Sequence, residues 1–202
     1  FGADGSLDLG VLEQQAEHLL EHGVRTVFVG GTTGESHSLT QEERLRLAEG
    51  WLTLGRSEPR LQVIVHVGSN CLRDARELAR QAGALGARAI SALSPSYFKP
   101  TSVGSLLGWC GAIAAEAPET PFFYYDIPEM TGVCLPMPEF LARASATIPN
   151  FVGLKFTNTN LISLQACLAL RDPTPQVLWG VDECLLAALV LGVEGAVGST
   201  YN

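Results

Sequence analysis

Lys155 lies inside an apolar run, Phe151-Val152-Gly153-Leu154-Lys155-Phe156-Thr157, and is one of two lysines in the chain. An ammonium in such a run is expensive to bury unless it is paired or has lost its proton. A desolvated lysine with a lowered pKa is the usual nucleophile for making a Schiff base with a ketone. Upstream, the run Phe122-Phe123-Tyr124-Tyr125-Asp126-Ile127-Pro128 carries a tyrosine pair into a turn. A buried phenol beside a buried amine makes a proton-transfer pair. Each residue also has a plainer reading. A lysine near a strand end can snorkel into solvent, and a tyrosine in an apolar run can be a core residue with a satisfied hydroxyl.

The elements that must position this pair alternate along the chain. Strands are expected at Thr26–Gly30, Leu61–Val67, Ala87–Leu93, Pro121–Ile127, Phe151–Phe156, Gln176–Val181 and Gly195–Ser199. Helices are expected near Val11–His22, Gln41–Leu54, Leu72–Leu85, Ser102–Ala117, Pro138–Thr147, Leu161–Leu170 and Cys184–Leu191. Gly23, Gly86 and Gly192 each stand between a helix and a strand, where a helix stop belongs. Such alternation means parallel strands joined by helical crossovers, and near-continuous apolar strands mean a sheet covered on both faces.

Polar residues gather where each strand ends: Gly31-Thr32-Thr33-Gly34-Glu35, Ser94-Pro95-Ser96-Tyr97, Tyr125-Asp126, Asp182-Glu183 and Ser199-Thr200-Tyr201-Asn202. A (β/α)8 barrel builds its active site from the C-terminal strand ends and the loops that follow them. A doubly wound sheet concentrates its ligand at one switch point instead. The α/β chain therefore reads as a TIM barrel occupying residues 1–202 as one domain. Thr32 and Thr33 sit in a glycine-flanked turn that can offer N–H groups and hydroxyls to a carboxylate. The turn lacks the lysine of a phosphate-binding loop. Asp182 and Glu183 could equally cap the helix that follows them.

Bulk composition narrows the partners. A net charge of −8 with no Lys/Arg cluster argues against nucleic acid and anionic membranes. No apolar stretch reaches the roughly 18 residues of a membrane span, and no signal peptide opens the chain. The five scattered cysteines form no CxxC pair, which fits reduced thiols in a cytoplasmic protein. The four histidines form no metal-ligand motif, and His18 and His22 read as a solvated helical pair. His66, in Val63-Ile64-Val65-His66-Val67, points into the barrel if its neighbours point outward, as a satisfied core histidine.

Taken together, Gly31-Thr32-Thr33-Gly34-Glu35, Tyr125-Asp126-Ile127-Pro128, Gly153-Leu154-Lys155-Phe156-Thr157, Gly180-Val181-Asp182-Glu183 and Gly195 to Asn202 resemble the N-acetylneuraminate lyase family. That family is a branch of the pyruvate-dependent class I aldolases that includes dihydrodipicolinate synthase. The lyase branch is favoured by Thr157 two residues after Lys155, and by Glu129-Met130-Thr131-Gly132, which lacks the arginine of the synthases. Asp126 stands where relatives tend to carry asparagine or histidine.

The resemblance implies reversible cleavage of N-acetylneuraminate to N-acetylmannosamine and pyruvate, with Lys155 as imine-forming nucleophile and Tyr125 as proton carrier. It implies that Thr32 and Thr33 hold the carboxylate and that Thr157 sits near the C4 hydroxyl. Asp182, Glu183 and Ser199 would bind the glycerol-like tail, with Gly180 and Gly198 admitting the ligand close to the backbone. Tyr97 would lie near the site, in some relatives from a neighbouring subunit. No cofactor or metal is implied, and a homotetramer is the usual assembly. Against the family's pattern the barrel reads as incomplete, without its first strand, last barrel helix and C-terminal helices. Two alternatives stay open: a related 2-keto-3-deoxy-sugar-acid aldolase, and a truncated, catalytically silent chain.

Overall fold

A computed structural model describes residues 1–171 and 174–201. The last residue of the C-terminal motif, Asn202, lies outside the described residues. Seven strands, β1 (Thr26–Val29), β2 (Gln62–His66), β3 (Ala89–Leu93), β4 (Phe122–Asp126), β5 (Phe151–Phe156), β6 (Gln176–Trp179) and β7 (Gly195–Ala196), form one sheet in sequential order. Every pairing is parallel. Helix α1 (Leu12–Glu21) precedes β1, and the crossovers are made by α2 (Gln41–Ser57), α3 (Leu72–Ala84), α4 (Val103–Ala114), α6 (Met137–Thr147), α7 (Leu161–Leu168) and α8 (Leu185–Val190). The single turn α5 (Pro128–Thr131) follows β4 and was not expected from the sequence. Proline at its first position is preset for helical φ, which is why the chain coils there at once.

Local signals explain the helix starts. Thr40 and Glu43 form a reciprocal capping box on α2, and Ser102 and Ser105 form one on α4. Asn160 accepts from the Ser163 N–H to start α7. On α3 the buried Ala75, Leu78, Ala79 and Ala82 keep helical spacing, while Arg76 and Arg80 turn outward to Glu116 beyond α4. Gly86 ends α3 in the left-handed region (φ +81°), with Gly23 and Gly192 in equivalent places.

The strands are covered on both sides. One face meets the helices through Val65, Ile90, Phe122, Tyr124, Leu154, Phe156 and Trp179, all within the main core. The other face encloses Ile64, Ala89 and Phe123, and nearer the strand ends Leu93, Tyr125 and Ile127, with Phe28 touching both groups. Thr33 Oγ1, after β1, lies 2.6 Å from Ser199 Oγ, after β7. The sheet therefore curls until the loops of its first and last strands touch, the curvature of a barrel. Among the described residues β1 and β7 pair on one side only, so the curl holds seven strands with two edges.

Candidate active site

The sequence between Phe151 and Lys155 contains the device that aims the lysine. Phe151 faces the helices, packed on Phe122 and Phe140. Strict alternation would send Lys155 to that same side. Instead the register with β4 slips: Phe122 pairs with Phe151, but Phe123 pairs with Gly153, leaving Val152 as an extra residue. This bulge reverses the phase, so Leu154 and Phe156 face the helices and Lys155 faces the interior. Gly153 allows it, because a Cβ there would overlap the Gln176 carbonyl of β6.

Lys155 is 6% exposed, and its Nζ lies 3.7 Å from the centre of the Tyr125 ring and 5.0 Å from that of Phe28. Burial lowers its pKa to about 7, with the Asp182 carboxylate pulling the other way. A substantial share of the amine is therefore unprotonated near neutrality. Tyr125, its register partner on β4, places its hydroxyl 3.1 Å from Thr32 Oγ1. Burial raises the phenol's pKa, and the hydroxyls of Thr32 and Thr157 partly offset this. Thr157 Oγ1 is buried beside that phenol, near enough to ease its ionisation but outside hydrogen-bond geometry with any group.

The carboxylate of Asp182 has a second task. One of its oxygens accepts from the Ser199 N–H (2.8 Å), the Thr200 N–H (2.9 Å) and the Thr200 hydroxyl (2.9 Å), which ties the loop after β7 to the loop after β6. It thus neither caps a helix nor stands free. The two glycines serve these side chains: a Cβ at Gly180 would overlap Thr157 Oγ1, and one at Gly198 would overlap the Asp182 carboxylate. Glu183 is exposed and, with Glu129, Thr157, Asn158 and Gly180, lines a cleft of about 240 Å³. Such a polar, open lining suits a hydroxylated molecule more than an apolar one. Tyr97 stays apart from this group, 80% exposed and edge-on to Phe98.

Two participants escaped the sequence reading, and a third was read only in part. Phe28 walls Lys155 from the β1 side, and nothing distinguishes it from any strand aromatic. Arg44 is buried in α2 and donates to the carbonyls of Gly68 (2.8 Å) and His66 (3.0 Å), where an arginine early in a helix reads as solvated. His66 faces the interior as expected but is only half satisfied. Its Nδ1 lies 2.7 Å from the Gly30 carbonyl oxygen, while Nε2 is buried without a partner. Burial, aided by the charge of Arg44, holds this ring's pKa well below the ordinary histidine value. A group with a visible signal is Gly153, since a lone glycine within a strand pattern marks a bulge.

Asp126 points the opposite way from Tyr125, into the helix layer. It is buried, and its pKa is pushed up to about 7, with Asn158 Nδ2 at 3.4 Å offsetting part of the rise. Among the described residues no cluster of three or more His, Cys, Asp or Glu side chains could hold a metal ion, and no helix is long and apolar enough to cross a membrane.

Comparison with known proteins places the chain among named relatives. The model of the dihydrodipicolinate synthetase family matches residues 1–202. The chain is 46% identical over 201 residues to N-acetylneuraminate lyase of Gallus gallus, covering 98% of this chain and 65% of that protein. It is also 46% identical over 202 residues to that of Danio rerio, covering 99% and 66%. Among solved structures, Proteus mirabilis N-acetylneuraminate lyase superposes with a TM-score of 0.95 at 39% identity, covering all of this chain and 67% of the other. The native Aliivibrio salmonicida sialic acid aldolase gives 0.95 at 42% identity, covering all of this chain and 66% of the other. The chain thus spans about two thirds of the length of the curated relatives it matches.

Proposed function

The chain belongs to the dihydrodipicolinate synthetase family, and from that premise we propose that it is a class I aldolase cleaving N-acetylneuraminate reversibly to N-acetylmannosamine and pyruvate. The carrying observation is the contact between a buried amine whose pKa falls to about 7 and a phenol hydrogen-bonded to Thr32. Lys155 Nζ attacks the C2 ketone of the open-chain sugar, and water leaves to give a protonated imine. The imine accepts the electron pair of the C3–C4 bond as it breaks, leaving an enamine. Tyr125 takes the proton of the C4 hydroxyl as the aldehyde forms, and returns it in condensation. Protonation of the enamine carbon and hydrolysis release pyruvate and restore the amine.

In this reading the turn of Thr32 and Thr33 receives the substrate carboxylate, and Thr157 meets the C4 hydroxyl with the group it leaves unbonded in the free protein. Glu183 and Ser199 receive the polyhydroxylated tail, together with the Asp182 oxygen that the loop tie leaves free. The lysine imine supplies the electron sink, so the mechanism calls for no cofactor or metal. The working form is a cytoplasmic homotetramer, with the exposed Tyr97 and Phe98 near a subunit contact.

Borohydride trapping with pyruvate, followed by peptide mass analysis, tests the reading. A reduced pyruvate adduct on Lys155, together with turnover of N-acetylneuraminate, supports it. Turnover of 2-keto-3-deoxy sugar acids alone would move the assignment to a sister aldolase. A folded chain that forms no adduct would be a silent member of the family.

A further inference from the structure

The turn that carries Thr32 begins at Gly30, directly after β1, and its first carbonyl is held from the next strand. His66 ends β2, and its Nδ1 lies 2.7 Å from that carbonyl oxygen. A carbonyl oxygen only accepts, so Nδ1 carries the proton and donates it, and the neutral ring presents Nε2 as a bare acceptor. The same ring meets Tyr125 edge-on, with centroids 5.7 Å apart at 88°, and Phe28 at 6.0 Å. Behind it, the Arg44 guanidinium grips the backbone on both sides of Val67 through the carbonyls of His66 and Gly68. Among the described residues no carboxylate forms an ion pair with Arg44.

This is an unfavourable arrangement if packing were its only purpose. A leucine would fill the space without burying an unpartnered acceptor. A buried guanidinium used on two carbonyls is likewise a poor route to stability alone. What the pair does provide is position. Arg44 fixes the end of β2, His66 fixes the carbonyl of Gly30, and the Gly30 turn delivers Thr32 to the Tyr125 hydroxyl.

We propose that His66, held by Arg44, is a positioning residue for the carbon–carbon bond step: its Nδ1–H anchors the turn that presents Thr32 to Tyr125, while its ring edge sets the Tyr125 ring. The inference rests on the roles given above to Lys155 and Tyr125, and it separates them. Imine formation needs the amine and the ketone; bond cleavage also needs the phenol aligned with the C4 hydroxyl.

Two amides probe the two ring nitrogens in the full chain. His66→Asn keeps a donor near the place of Nδ1, whereas His66→Gln carries its amide toward Nε2 and leaves the Gly30 carbonyl bare. At saturating pyruvate the Gln variant is expected to reach the same final extent of adduct on Lys155 as the parent. It should lose about 10²-fold in kcat for N-acetylneuraminate cleavage, the scale of a displacement near 1 Å, with a higher KM because the same turn receives the substrate carboxylate. The Asn variant is expected to recover most of that loss, and Arg44→Lys to fall between them because it cannot fork to two carbonyls. Equal kcat in the Asn and Gln variants, or a parallel loss of adduct and cleavage, would overturn the proposal. An activity-free arm uses tyrosine labelled with ¹³C at Cζ, with Thr32→Val as reference for the lost hydrogen bond. In His66→Gln the Tyr125 signal is expected to shift to the reference position, and in His66→Asn to stay. If the parent chain traps no pyruvate, the aldolase reading fails while the Tyr125 signal still decides the positioning role; an unmoved signal in His66→Gln sinks it.

Discussion

Tyr124 and Tyr125 are neighbours on one strand, 1% and 2% exposed, yet they live in different chemistry. Tyr124 faces the helices with its ring 4.8 Å from that of Phe140. Burial drives its pKa well above the ordinary phenol value, and the nearby Asp126 carboxylate adds to the rise, with only the Ser94 hydroxyl opposing. Tyr125 faces the interior, where Lys155 covers its ring and the Thr32 and Thr157 hydroxyls ease its ionisation. Burial is the largest cause of both rises, and company widens the contrast: one phenol is set beside an acid that penalises its anion, the other beside an amine and hydroxyls that tolerate it.

The largest effects should fall on the interior pair, in two distinguishable ways. Lys155→Ala removes the nucleophile, so the pyruvate adduct should vanish and cleavage should fall by at least about 10⁴-fold. Tyr125→Phe should keep the adduct while kcat for cleavage drops by about 10²–10⁴-fold, the range for a lost acid–base group. Peptide mass after borohydride reduction reports the first step, and steady-state kinetics the second. If Tyr125→Phe abolished the adduct as well, the phenol would be acting on the amine itself and the division of labour would be wrong.

The pH dependence sharpens the same contrast. With the Lys155 pKa lowered to about 7, the neutral fraction falls tenfold for each pH unit below it. The rate of adduct formation should rise with pH and level off above about 7, rather than climb toward 10 as for a solvated lysine. Stability responds in the opposite sense to a salt-bridged lysine. The unfolded chain holds that proton up to about pH 10.5 and the folded chain only to about 7, so this residue weakens the fold as pH falls across that window.

Next in size is the bulge that decides which face Lys155 occupies. Gly153→Ala places a Cβ on the Gln176 carbonyl, and backbone cannot yield as a side-chain tip can. Separation of β5 from β6 should lower stability by about 1–3 kcal/mol and reduce adduct formation with it, readable by urea unfolding and trapping. Retained stability together with lost adduct would mean that the strand rephases and sends the lysine outward.

Much of this contrast was legible beforehand, and the exceptions have physical reasons. Seven strands and their crossovers follow from apolar runs punctuated by Gly23, Gly86 and Gly192, because those signals are local. The lysine and the tyrosine stood out because an amine or a phenol in an apolar run is anomalous by type. The ends of β6 and β7 fall short of expectation. Trp179 donates its indole N–H to the Val181 carbonyl just past β6, and the backbone of Ser199 and Thr200 turns to Asp182 instead of continuing β7. Arg44 stayed hidden because its partners are backbone carbonyls on another strand, which no residue type reveals. The facing of Lys155 stayed hidden because alternation gives the wrong phase across an extra residue.

On the helix-facing side the expected effects concern stability. Asp126 has its pKa raised to about 7 by burial, so the folded chain holds a proton that the unfolded chain releases near pH 4. Its contribution is lost as pH rises between those values. Asp126→Asn should therefore stabilise the chain above pH 7 by up to a few kcal/mol, an advantage that shrinks on acidification and disappears near pH 4. Thermal unfolding at a series of pH values would show it, and a constant difference across the series would mean the carboxylate is not the source.

The smallest expected effect carries the most weight for the comparison. Tyr124→Phe removes one hydroxyl from a packed layer in which the ring, held against Phe140, does the filling. The cost should stay within about 1 kcal/mol, and neither adduct formation nor kcat should change measurably. The double variant with Tyr125→Phe should then have the kinetics of Tyr125→Phe alone. The two side chains leave the strand in opposite directions, so the helix-side hydroxyl can reach the interior only by shifting β4 itself. A kcat loss from Tyr124→Phe comparable to that of Tyr125→Phe would mean that β4 does shift, and that its two faces report a single coupled element instead of a catalytic side and a packing side.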